Sequence, residues 1–113
     1  MIITNISRSE MLRLTQTSFG TRILLCFNNQ QDVRFALNNF KHFLQDEQIE
    51  FILKQRNCDI EFGGSKLMFK VVSDDIVKEN LAGILVSCIV LNDVKLSTSS
   101  HIRLQHRCFR NQN

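Results

Sequence analysis

The residue best placed to do chemistry in this chain is an acid that follows a long apolar run. The eight largely apolar residues Ile84–Leu91 are followed at once by Asn92 and Asp93. An acid at the carboxyl end of a buried strand can hold Mg²⁺ or polarise a water molecule. Asn-Asp is also a common way to end a strand and begin a turn. Asp93 is therefore a candidate catalytic residue, and a simple turn is the alternative.

A metal-dependent nuclease or phosphohydrolase would pair Asp93 with a second acid, for which Asp59 and Glu61 are the candidates. The chain has no phosphate loop of the form GxxxxGKS/T. The glycine-containing segment Thr17–Arg22 lacks that spacing and leads into a strand rather than a helix. We therefore expect a protein that is not an enzyme and that binds no cofactor.

Gly63, Gly64 and Ser65 form a second candidate site. Because glycine has no side chain, this loop could approach a phosphate or a base closely. The runs Asp59–Phe62 and Lys66–Val72 on either side are strand-like. A hairpin turn with positive φ therefore explains the same three residues.

The end of the chain carries basic residues and no acid. The net charge is +3, and residues 96–113 contribute Arg103, Arg107 and Arg110 without any Asp or Glu. Such a segment can contact the phosphates of DNA or RNA through charge alone. A solubilising terminus is the alternative.

Neither a metal site nor a membrane segment is expected. His101, His106 and Cys108 lie close together, but their spacing matches no zinc pattern. The longest apolar run has eight residues, well below the ~20 needed to span a bilayer. The chain has four cysteines and no CxxC pair, so we expect reduced thiols and a cytoplasmic protein.

The elements that must position these residues follow from the spacing of apolar side chains. Ser7 and Glu10 predict a short helix that runs to about Gln16, and Thr21–Phe27 is typical of a central strand. The next helix is the best defined, because one stripe collects its apolar residues. That stripe consists of Val33, Ala36, Leu37, Phe40 and Leu44.

The second half of the chain predicts a hairpin, a short helix from Ser73 to Leu81, and the strand Ile84–Leu91. Residues 47–53 fit a helix or a strand. The order of elements predicts an α/β (or α+β) domain, with a mixed sheet of about four or five strands packed by about two or three helices. We assign residues 1–100 to this domain and 101–113 to a basic C-terminal tail.

Three consecutive segments carry a resemblance to a known family. Ile60–Phe69 contains two strand-like runs around a Gly-Gly-Ser turn, Asp74–Gly83 begins with two acids and ends in glycine, and Ile89–Asp93 ends a hydrophobic run. In this order they resemble the ATPase domain of phage large terminase subunits, the motors that package DNA. The strand at 21–25 and the helix at 31–44 look like the strand–helix step that precedes this region in terminases and related helicases.

This resemblance implies a helicase-like fold with two departures. The phosphate-binding loop is missing, and the metal-holding Asp of the family falls on Asn92, which leaves Asp93 at the position of the catalytic acid. The resemblance therefore implies an ATP-inert relative that assembles with a full motor or helicase, or competes with one.

These observations lead to three hypotheses. The first is a non-enzymatic accessory protein of a phage or mobile element, present in the host-cell cytoplasm, that binds a protein partner in packaging, replication or evasion of host defence. The second is direct binding of DNA or RNA by the basic tail. The third is the metal-dependent nuclease or phosphohydrolase that uses Asp93.

Overall fold

The structure is a computed structural model that describes residues 2–17, 20–79 and 85–108. Within these ranges the chain forms six strands and four helices. In order they are β1 (Ile2–Thr4), α1 (Arg8–Thr17), β2 (Arg22–Phe27), α2 (Gln30–Asp46), β3 (Ile52–Lys54), β4 (Asp59–Phe62), β5 (Ser65–Val71), α3 (Asp74–Glu79), β6 (Cys88–Leu91) and α4 (Thr98–Gln105).

All the described strands belong to one sheet with the order β1-β6-β2-β5-β4-β3. The neighbours β1, β6, β2 and β5 run parallel to one another. β4 and β3 extend the sheet as antiparallel strands. The predicted α/β class with a mixed sheet is confirmed, and the described residues contain somewhat more strands and helices than the sequence predicted.

Helices cover both faces of the sheet because its connections run in two directions. The chain moves from β1 to β2 to β5, and α1 and α2 pack with alternate β2 residues such as Ile23 and Leu25. It then returns from β5 to β6, and α3 and α4 pack with Leu24 and Cys26 on the other face. Right-handed crossovers require this change of face when the direction reverses.

The interior between α2 and the sheet is built largely from phenylalanine. Phe40 on α2 is 2% exposed, and its ring lies 6.1 Å from that of Phe62 and 6.4 Å from that of Phe69. The Phe69 ring also stacks on Phe27 at 6.1 Å. The apolar stripe predicted for α2 is confirmed, with Val33, Leu37 and Leu44 buried beside Phe40.

Four elements differ from the prediction. β1 was not predicted. The segment 101–110 fits a final strand or a frayed helix by its sequence, and the helix α4 begins earlier, at Thr98. Ile52–Lys54 is a strand, which covers the end of the ambiguous segment 47–53. The predicted strand Ile84–Leu91 is shorter, since β6 begins at Cys88 and Ile84 lies outside the described residues. The backbone just before β6 forms its hydrogen bond outside the sheet, since the backbone N–H of Val86 donates to the Arg107 carbonyl at 2.8 Å.

The predicted start of the basic tail falls inside α4. This helix runs from Thr98 to Gln105, and its residue Leu104 is fully buried. Cys108 is also buried, and its backbone forms an isolated parallel β-bridge with Val86. Residues 101–108 therefore pack on the domain, whereas residues 109–113 lie outside the described part of the chain.

One part of the sheet carries a charge cluster instead of a helix contact. Asp59 is 4% exposed, and its carboxylate lies 3.5 Å from both Lys66 and Lys70. Lys54 and Glu61 form a further ion pair at 2.7 Å. Ile60 and Phe62 point toward α2, so Asp59 and Glu61 point to the opposite face.

Among the described helices, none is long and apolar enough to cross a membrane.

Candidate functional site at the carboxyl edge of the sheet

The parallel strands bring polar residues together at one edge of the sheet, which we call the carboxyl edge. Asn5 follows β1, Asn28 follows β2, and Asp93 follows β6 with one residue between. The Asn5 side-chain amide lies 3.4 Å from Asp93 Oδ1, and the Asn28 amide donates to the Asp93 carbonyl at 3.0 Å. Residues 88 positions apart in the chain therefore meet here.

The backbone at this edge holds the candidate acid in an uncommon conformation. Asn5 and Asp93 have φ values of 49° and 57°, in the left-handed region that Asn and Asp tolerate better than most residues. The hydrogen-bond ladder of the sheet continues past the strand ends. The backbone N–H of Asn5 donates to the Leu91 carbonyl, and the backbone N–H of Asn92 donates to the Cys26 carbonyl. The exposed Asp93 side chain is thus presented by fixed backbone.

The second acid required by the enzyme hypothesis lies far away. β2 and β5 separate β6 from β4, which carries Asp59 and Glu61. Neighbouring strands are about 4.8 Å apart, so β4 is about 14 Å from β6 across the sheet. Ligands of one Mg²⁺ lie about 2 Å from the ion, so neither acid can share an ion with Asp93. Among the described residues, no group of three or more His, Cys, Asp or Glu could hold a metal ion.

The strand–helix step beside β6 is short. β1 ends at Thr4 and α1 begins at Arg8, so only Asn5, Ile6 and Ser7 connect them, and none is glycine. The Glu10 amide donates to Ser7 Oγ at 3.1 Å, which confirms the predicted start of this helix. The amides of the first turn are thus partly satisfied by the protein itself.

Asp74 joins two helices near the same edge. Its carboxylate accepts a hydrogen bond from the Ser97 amide at 2.9 Å and another from the Ser100 hydroxyl. The bond from Ser100, followed by that from the Ser97 amide, lowers the pKa of Asp74. The helix α3 therefore begins against the start of α4, and Asp74 links the two helix starts.

Gly63, Gly64 and Ser65 lie at the opposite edge of the sheet from Asp93. Phe62 pairs with Ser65, so the two glycines are the whole β4–β5 turn. Their φ values are 55° and 80°, which suits a two-residue hairpin turn of type I′. A side chain at Gly63 would meet nothing within 4 Å, so positive φ rather than close approach accounts for this glycine.

Replacing Gly63 with alanine is expected to lower the free energy of unfolding by about 1–2 kcal/mol, because an L side chain is unfavourable at positive φ. Asparagine tolerates this region better, so Gly63→Asn should lose less. Urea unfolding of both variants measures the difference. Equal losses for Ala and Asn would contradict the assignment of strain to φ.

The arginines of the predicted tail are divided by the structure. Arg103 is exposed on α4, whereas Arg107 is half-buried and its carbonyl accepts a hydrogen bond from Val86. Arg110 lies outside the described residues. Cys108, considered as a metal ligand together with His101 and His106, is buried, and its thiol lies 3.8 Å from the Leu104 carbonyl.

Sequence reasoning missed a basic groove on the side of the molecule where α2 packs on the sheet. It lies between α2 and the turn that joins β3 to β4, and its volume is about 600 Å³. Nine residues line it: Gln30, Arg34, Leu37, Asn38, Lys41, Leu53, Gln55, Arg56 and Cys58. The signal in the sequence was the spacing of Arg34, Asn38 and Lys41, which places all three on one side of a helix.

The cysteines differ in their expected reactivity. Burial raises the pKa of Cys26 to about 12 and also raises that of Cys88, so neither forms thiolate near neutral pH. Cys58 is only half-buried, at the rim of the basic groove.

In the folded protein at pH 8, we expect Cys58 to react first with Ellman's reagent. A Cys58→Ser variant that keeps the fast-reacting thiol would contradict this.

Comparison of the chain with protein-family profiles, with curated proteins and with solved structures finds no match.

Proposed function

We propose that this protein is a non-enzymatic accessory protein of a phage or similar mobile element that binds a protein partner in nucleic-acid processing. Packaging, replication and evasion of host defence are the processes in which it would act. The observation that supports the non-enzymatic part of this proposal is the β1–α1 connection beside β6. Its three residues Asn5, Ile6 and Ser7 contain no glycine and are too few for a phosphate loop of the usual length.

The carboxyl edge supports a binding role better than a catalytic one. The carboxylate of Asp93 faces the side-chain amide of Asn5, and the acids of β4 lie three strands away, with β2 and β5 between. A nuclease or phosphohydrolase that uses Asp93 would have to obtain its remaining ligands from its substrate or from a partner. That alternative remains a proposal, and a metal titration tests it together with ATP binding.

The surface that we assign to the partner is the outer edge of β3. This strand ends the sheet in the described chain, and Ile52 on it is 62% exposed. An edge strand can accept an extended peptide segment through main-chain hydrogen bonds, with side-chain contacts that give specificity. A strand of a protein partner is therefore the occupant that fits this edge.

Two isoleucines give a matched test of partner binding. Ile52 lies on the β3 edge, whereas Ile102 is 57% exposed on α4. We expect tagged protein to retain a nucleic-acid-processing protein from cells of its source, identified by mass spectrometry. Ile52→Asp should lose this partner and Ile102→Asp should keep it. Recovery of free protein alone, or equal loss in both variants, would overturn the assignment.

Calorimetry with ATP and Mg²⁺ tests the non-enzymatic part of the proposal. We expect no heat of binding from ATP, because the chain lacks a phosphate loop. We also expect none from Mg²⁺ or Mn²⁺ alone at millimolar concentration. Tight ATP binding, or metal binding that Asp93→Asn removes, would favour an enzyme instead.

A further inference from the structure

We propose that the groove between α2 and the β3–β4 turn binds the phosphate backbone of a nucleic acid. The inference concerns a different surface from the β3 edge and does not depend on the proposed partner. It also differs from the basic-tail hypothesis, because α2 and α4 pack on opposite faces of the sheet.

The charges of the groove select an anion. Arg34, Lys41 and Arg56 line it, and none of the described lining residues is acidic. The nearby acids of β4 are already paired, Asp59 with Lys66 and Lys70 and Glu61 with Lys54. They also project from the opposite face of the sheet. The three cations of the groove are therefore not neutralised by the acids of this hairpin.

The remaining polar residues suit oxygen-rich ligands. The amide side chains of Gln30, Asn38 and Gln55 stand among the cations. Arginine presents a fork of N–H donors, and amides add further donors, which is the set that contacts phosphate and sugar oxygens. The groove begins at Gln30 in the first turn of α2, where the helix dipole favours negative charge.

The arrangement favours a chain of phosphates over a single one. Arg34 and Lys41 are seven residues apart on α2, which corresponds to about 10 Å along the helix axis. A strand of B-form DNA carries one phosphate per about 3.4 Å of axis, so this length spans about three phosphates. No aromatic residue is among the described lining residues, so base stacking is not the mode of binding.

An acidic protein segment fits the groove less well. Protein interfaces usually centre on aromatic or apolar anchors in desolvated pockets. Here the apolar contribution is limited to Leu37 and Leu53, and Leu37 is 3% exposed. The cations and amides dominate the accessible lining, and this favours phosphate over an apolar-anchored peptide.

The turn that forms one wall is held in place before any ligand binds. The Cys58 amide donates to the Gln55 carbonyl at 3.3 Å, and the Phe69 amide donates to the Cys58 carbonyl at 3.0 Å. The Lys70 ammonium donates to the Asn57 carbonyl. The Gln30 amide lies 3.8 Å from the Cys58 thiol and so connects the two walls. A preorganised wall lowers the entropic cost of binding.

Fluorescence anisotropy with a labelled DNA duplex of about 20 base pairs, measured between about 50 and 200 mM salt, tests the proposal. With three phosphate contacts, the slope of log K against log salt should be about −2.7. The Arg34→Gln/Arg56→Gln variant should reduce the slope to about −0.9 and weaken binding by roughly tenfold or more at the lower salt concentration.

A matched variant removes two arginines from the other face. Arg103→Gln/Arg107→Gln changes the charge equally, and we expect it to bind DNA like the unchanged protein. Circular dichroism confirms that both variants are folded. Absence of binding, a larger loss in the Arg103/Arg107 variant, or equal loss in both would overturn the proposal.

Competition identifies the source of the phosphate. Unlabelled single-stranded or duplex DNA should displace the labelled duplex, whereas tripolyphosphate and polyglutamate should compete only at much higher concentration. Displacement by tripolyphosphate at an equal phosphate concentration would replace the nucleic acid with a free polyphosphate. Equal displacement by polyglutamate would show that the groove binds any polyanion, and would also overturn the proposal.

Discussion

Replacing Phe40 with alanine is expected to lower the free energy of unfolding by about 3–5 kcal/mol. Phe40 is 2% exposed, and its ring contacts those of Phe43, Phe62 and Phe69. Alanine would remove the ring that joins α2 to the hairpin and would leave a cavity that close-packed neighbours can fill only in part. Urea unfolding followed by circular dichroism measures the loss.

The same helix supplies a control for this prediction. Phe35 is 71% exposed on α2, so Phe35→Ala should change the free energy of unfolding by less than about 0.5 kcal/mol. If Phe40→Ala does not fold, Phe40→Leu preserves most of the volume and should lose less than about 1.5 kcal/mol. Similar losses for Phe35→Ala and Phe40→Ala would mean that α2 is not packed as described.

Removing the two lysines beside Asp59 should have a comparably large effect. Asp59 is 4% exposed, and its Oδ1 atom accepts no hydrogen bond from the described residues, so its ion pairs with Lys66 and Lys70 are its main compensation. Lys66→Met/Lys70→Met would remove both cations that lie 3.5 Å from this buried carboxylate and leave only the weaker interaction with the exposed Lys54. We expect a loss of about 3 kcal/mol or more.

A third substitution separates charge from packing in this prediction. Adding Asp59→Asn to the double variant removes the uncompensated charge and should restore a large part of the lost stability. Lys54→Met serves as a comparison, because the Lys54–Glu61 pair is exposed to solvent and should contribute much less. If Asp59→Asn restored nothing, the lysines would act through packing of their aliphatic stems or, for Lys70, through its hydrogen bond to the Asn57 carbonyl.

These two predictions concern the β4–β5 hairpin, on which β3 is paired. β3 forms the outer edge of the sheet, and the β3–β4 turn forms one wall of the basic groove. Loosening the hairpin should therefore weaken both partner and DNA binding. In contrast, Arg34→Gln/Arg56→Gln should weaken DNA binding alone.

The sequence by itself determined the elements whose patterns are local. The apolar stripe of α2 repeats over about three turns, β2 is a continuous apolar run from Ile23 to Phe27, and two adjacent glycines mark the turn between β4 and β5. Each signal lies within a few consecutive residues, so periodicity and turn chemistry are enough to identify it. The fold class followed from the order of these elements.

Only the tertiary structure decided the short elements and the sites. β1 and β3 have three residues each, too few for an alternating pattern, and α4 begins with the weakly helix-forming Thr98, Ser99 and Ser100. Asn5 meets Asp93 because β1 pairs with β6, and Arg56 joins Arg34 because the hairpin lies beside α2. Strand pairing and packing set these contacts between distant residues, and no local pattern encodes them.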